Sequence, residues 1–120
     1  MPRKLPHGRA HLNRVFLSYA LNAKKKGIAF GLTVGQFEAI VTKPCFYCGV
    51  APILRPLKAV KTQIEMNGVD RVDNKQGYTP SNCVACCTEC NMAKRTLSID
   101  NFLDLVKRIY ERHKAYFVGS

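Results

Sequence analysis

A chain of 120 residues with 19 Lys and Arg against 8 Asp and Glu, a net charge of +11 and six cysteines is expected to form one domain with a modest core. The surplus of positive charge points to a polyanionic partner. No apolar run has the length to cross a bilayer, and Asn13, Arg14 and Ser18 interrupt the one candidate for a signal core, so a soluble protein with no membrane partner is expected.

The charge is unevenly placed. Arg3, Lys4, Arg9, Arg14, Lys24, Lys25 and Lys26 all precede the first acid, Glu38. Residues 1–10 hold Pro2, Pro6 and His7 and read as a basic arm. An N-terminal helical part follows over 11–42. From His11 to Lys26 the residues Leu12, Val15, Phe16, Tyr19, Ala20 and Ala23 recur at helical spacing, and Gly27 stands as a stop. Gly27 to Leu32 is extended at most. Thr33 with Gln36 has the form of a capping box, and Phe37, Ile40 and Val41 then share one face of a short helix.

Residues 43–96 carry the chemistry. Lys43-Pro44-Cys45-Phe46-Tyr47-Cys48-Gly49 is a knuckle: the proline ends the helix, and the glycine lets the chain turn so that both sulfurs face one ion. Val50 to Met66 is poorly patterned, with a strand suggested near Gln63 to Met66. Val69 to Arg95 then gives a β-branched run ending in an acid, a turn-rich loop, a second apolar run, a Cys-x-x-Cys turn and a polar helix start. The last predicted helix is capped by Ser98 and runs from Ile99 to about Phe117. It carries Phe102, Leu103, Val106, Ile109, Tyr110, His113 and Phe117 along one side, so His113 reads as a core or capping residue.

Two Cys-x-x-Cys pairs far apart in sequence are the spacing of a closed tetrahedral Zn²⁺ site, with Cys45, Cys48, Cys87 and Cys90 as donors. Cys83 and Cys86 have the same gap. They fall in the predicted second strand, where successive side chains point to opposite faces, and are expected to be small buried hydrophobes. Thiols used this way imply a reducing, intracellular compartment.

Asp70-Arg71, Asn82, Cys87-Thr88-Glu89-Cys90 and Asn91, in that order, with the upstream knuckle, resemble the HNH (ββα-metal) nuclease signature over Pro44 to Thr96. The resemblance implies an α+β fold with a small ββα-metal core and a four-cysteine zinc site, flanked by N-terminal and C-terminal helices. It implies that Asp70 and Asn91 hold a catalytic divalent ion, Mg²⁺ or Mn²⁺, for which a carboxylate and an amide oxygen are suitable hard ligands. Asn91 is expected to open a helix whose N-terminus favours phosphate. Asn82 is expected to tie the loop between the strands through its side-chain amide.

One departure stands out: the histidine that usually follows the metal-binding acid and activates water is Arg71. A guanidinium does not deprotonate water, but it can clamp a phosphate. A different base is then required, with Tyr78 the nearest candidate and His7 and His11 its rivals. Asp73 offers another carboxylate, although Asp73-Asn74 equally starts a turn. Lys94 and Arg95 are placed to hold the DNA backbone, with Arg14, Lys24, Lys25 and Lys26 gripping the duplex.

The expectation is therefore a metal-dependent DNA endonuclease or nickase, working as monomer or homodimer in a bacterial cytoplasm or a bacteriophage-infected cell. The alternative is a zinc-stabilised DNA-binding module that lost catalysis with the histidine. Retention of both Asp70 and Asn91 favours the enzyme.

Overall fold

The structure is a computed structural model that describes residues 8–54 and 64–118. His7 and most of the basic arm, and part of the 50–66 segment including Gln63, lie outside the described residues. Five helices and two small antiparallel sheets make a mixed α+β fold among the described residues.

Helix α1 (Arg9–Lys25) begins behind Gly8 at φ 75°, where an added Cβ would collide with the Ile64 side chain, so only glycine fits this close approach. The helix ends at Lys26, and Gly27 turns the chain at φ 68°. Helix α2 (Val34–Val41) has the expected capping box: Thr33 Oγ1 accepts from the Gln36 N–H, and the Gln36 side chain accepts from the Thr33 N–H. Strands β1 (Ile53–Leu54) and β2 (Glu65–Met66) pair across the segment the sequence left unpatterned.

The core unit is β3 (Gly68–Arg71), β4 (Cys83–Cys86) and α3 (Thr88–Lys94). The strands are antiparallel, with Asp70 opposite Val84 and Arg71 opposite Cys83. Leu12 from α1, Phe37 and Val41 from α2, Met66, Val69 and Ala85 form one buried cluster, so both N-terminal helices pack on the hairpin. Further ties fix its position. Tyr19 Oη accepts from the Val69 N–H at 3.1 Å, and Asn67 donates from its amide to Lys43 O and its own N–H to Val41 O. Cys83 and Cys86 are buried in β4, with burial pushing both thiols up, Cys86 to about 12.

The C-terminal helix differs from expectation in two ways. It is interrupted: α4 (Ile99–Arg112) ends at His113, whose φ of −112° leaves helical geometry, and α5 (Lys114–Val118) follows. Its apolar side is also unpacked. Only Phe102 is buried, against the Tyr47 ring at 5.4 Å, while Leu103, Val106, Ile109, Tyr110 and Phe117 stay exposed; of the two roles expected for His113 it takes the capping one, its N–H donating to Ile109 O, and it lies in solvent rather than in a core.

Candidate metal and nucleic-acid site

The first knuckle is built by backbone hydrogen bonds. Gly49 N–H donates to Cys45 O and Cys45 N–H to Val50 O, each at 2.9 Å, with Gly49 at φ 78° making the turn. Phe46 N–H donates to Ala85 O, so the knuckle is stitched to β4. The second knuckle is the cap of α3: Cys87 has extended backbone and its sulfur accepts from the Cys90 N–H at 3.4 Å.

The four sulfurs of Cys45, Cys48, Cys87 and Cys90 lie within 4.8 Å of one another. Cys48 and Cys87 sulfurs are 3.7 Å apart, close to the edge of a tetrahedron of about 3.8 Å that Zn–S bonds of about 2.3 Å define. Burial opposes ionisation of Cys45, but N–H donors from Cys48, Cys87 and Tyr47 outweigh it and bring its thiol down to about 6. Cys90 is pushed up, first by burial and then by the neighbouring sulfurs. Clustered sulfurs oppose one another's ionisation until a cation neutralises them. The site is compatible with structural zinc.

Asp70 is 6% exposed and meets two side chains that the sequence reading did not connect with it. Tyr47, between the two knuckle cysteines, donates its hydroxyl to Asp70 Oδ2 at 2.6 Å. The Lys94 ammonium, fully buried, stands 3.2 Å from the same oxygen as an ion pair without hydrogen-bond alignment. Burial first, then the Asp70 hydrogen bond and charge, push the Tyr47 phenol up, so it stays a donor.

Lys94 is thus a correction: it is an interior partner of Asp70, closed to a DNA phosphate. Its position three residues after Asn91, on the same face of α3, was the available signal. Asn91 is exposed and is the fourth residue of α3, so Cys87, not Asn91, opens that helix.

Arg71 reaches the opposite way. Its Nη1 donates to Asn74 O and Gln76 O, and its guanidinium lies 5.4 Å from the Tyr78 ring centroid, over the ring. Tyr78 is half-buried beside Tyr19 and Phe30, and burial raises its phenol more than Arg71 lowers it. Gly77 precedes it because a Cβ there would stand 2.5 Å from Ala29 O. Asn82 is buried: its Oδ1 accepts from the Asp73 N–H and its Nδ2 donates to Asp73 O and Gly77 O. The Asp73 carboxylate closes a turn on Lys75 N–H. His11 is fully buried, and its Nδ1 accepts from the Ile64 N–H. Arg14, Lys24, Lys25, Lys26 and Arg95 are exposed.

For a divalent ion, the observation that matters is that both partners of Asp70 sit on Oδ2; among the described residues Oδ1 accepts no hydrogen bond. A carboxylate oxygen is the hard donor type suited to a divalent cation, and Asn91, on α3, carries a second such donor in its side-chain amide.

No protein-family model matches the chain. An uncharacterised protein of Acanthamoeba polyphaga mimivirus, R423, is 34% identical over 101 residues, which cover 84% of this chain and 17% of that protein's length. The rare-cutting HNH restriction endonuclease PacI matches in structure with a TM-score of 0.60 and 25% identity, over 90% of this chain and 82% of that one.

Proposed function

We propose that the chain, which is similar in fold to an HNH restriction endonuclease and carries a four-cysteine knuckle with Arg71 where such nucleases usually have histidine, is a metal-dependent DNA endonuclease or nickase. The likeness to an HNH restriction endonuclease over 90% of the chain carries the proposal. Asp70 and Asn91 are the residues that would hold Mg²⁺ or Mn²⁺, which in such a site polarises the scissile phosphate and stabilises the leaving oxygen.

The other assignments are the chain's own. Arg71 braces the loop through Nη1 and would offer the rest of its guanidinium fork to a phosphate. Asn82 holds that loop in place. Tyr78 is the candidate for activating water, and with its phenol raised by burial it would depend on Arg71 for that role. Exposed Arg14, Lys24, Lys25, Lys26 and Arg95 would meet the DNA backbone. We place the protein inside a cell, where thiols stay reduced.

Plasmid cleavage at low salt with Mg²⁺ or Mn²⁺ tests this. Asp70→Asn should slow cleavage by at least about a thousandfold, the equivalent of several kcal/mol of lost charge stabilisation, with zinc content unchanged. One observation favours a second reading. The Lys94 ammonium already neutralises Asp70 without any ion, as suits a zinc-stabilised DNA-binding module. Folded, zinc-loaded, DNA-binding protein that leaves plasmid intact with both ions would select it.

A further inference from the structure

Asp70 has two oxygens, and the protein treats them differently. Oδ2 receives the Tyr47 hydroxyl at 2.6 Å and the Lys94 ammonium at 3.2 Å, while Oδ1 accepts no hydrogen bond among the described residues. The two partners come from separate elements. Lys94 ends α3, whereas Tyr47 sits between Cys45 and Cys48, in a turn fixed by Gly49 and by the hydrogen bond from Phe46 to β4. Its ring is pinned edge-on against Phe46 at 5.2 Å and Phe102 at 5.4 Å, so the hydroxyl has little freedom to leave.

A phenol held this tightly on one oxygen of a buried carboxylate fixes the carboxylate's rotation. We infer that Tyr47 is a positioning residue for the divalent-ion site, occupying Oδ2 of Asp70 so that Oδ1 is presented to the ion. The inference rests on the nuclease reading and adds to it. The zinc knuckle is then more than a staple for a small core: through Tyr47 it sets the geometry of the second metal site. Outer partners of this kind typically change metal affinity by about 10- to 100-fold when removed.

Tyr47→Phe deletes one oxygen atom and keeps both ring contacts. The test is Mn²⁺ binding to the full zinc-loaded chain without DNA, read from the electron paramagnetic resonance of free Mn²⁺, with zinc content and melting temperature measured alongside. The expected result is Mn²⁺ affinity reduced about 10- to 100-fold in Tyr47→Phe, zinc and melting temperature near wild type, and no specific Mn²⁺ binding in Asp70→Asn. In cleavage, the Tyr47→Phe defect should be recovered at high Mn²⁺, appearing in the half-saturating ion concentration more than in the maximal rate. Unchanged Mn²⁺ affinity in Tyr47→Phe, with binding lost in Asp70→Asn, overturns the inference and leaves the nuclease reading standing. Mn²⁺ binding that survives Asp70→Asn overturns both. A Tyr47→Phe chain that no longer holds zinc shows that the hydroxyl serves the knuckle itself, and also overturns the inference.

Discussion

Lys94 carries a charge with no exposure at all, and the carboxylate beside it is 6% exposed. A buried ion pair adds little net stability, but removing one partner strands the other and costs about 3–5 kcal/mol. Lys94→Met should therefore lower the urea unfolding free energy by that amount, whereas Lys94→Met combined with Asp70→Asn should lose much less. The two half-buried phenols give a pH signature. Tyr47 and Tyr78 are both raised above the ordinary tyrosine value of about 10, burial being the first cause of each. A raised group contributes its stability in full below the unfolded value and loses it as pH climbs towards the folded value. Unfolding midpoints should thus fall above about pH 10, and tyrosinate absorbance at 295 nm should show two phenols that ionise late.

Among the elements, α4 is the outlier. Its sequence has a clear apolar stripe, yet only Phe102 is covered. Ile109→Ser and Val106→Ser should shift stability by less than about 0.5 kcal/mol, while Phe102→Ala should cost about 3–5 kcal/mol and free the helix from the Tyr47 ring. Thermal melts of the three variants would separate these outcomes. This helix also marks the boundary of what the sequence could tell. Thr33 with Gln36 and each Cys-x-x-Cys turn depend on partners within a few residues, so spacing placed the capping box and the two turns, and the turns met across 39 residues because two such pairs are together the donor set of one zinc ion. Whether an amphipathic helix finds a cover depends on the rest of the molecule, and periodicity does not carry that. Tyr47 and Lys94 were missed for the same reason: each meets Asp70 over 23 and 24 residues of chain. The break at His113 has no proline or glycine to announce it.

At the scale of the molecule, the principal extents are 62 × 36 × 22 Å and the radius of gyration is 16.7 Å, against roughly 14 Å for a compact chain of this length. With the core spread over so few buried residues, the four-sulfur site is the main cross-link between the upstream knuckle and α3. Chelation of zinc should unfold the ββα unit along with the site, visible as loss of far-ultraviolet circular dichroism and of Mn²⁺ binding together. No helix among the described residues is long and apolar enough to cross a membrane.

The interior position of Lys94 also gives the protein a built-in clock. The other described lysines, Lys24, Lys25, Lys26, Lys43, Lys75, Lys107 and Lys114, are exposed, and Lys94 is sealed. An amine-acylating reagent should mark those lysines at once and reach Lys94 only when α3 lifts from β3. The rate at which the Lys94 peptide gains mass would time the opening of the Asp70 site, and a bound ion or DNA that slows it would do so by holding that door shut.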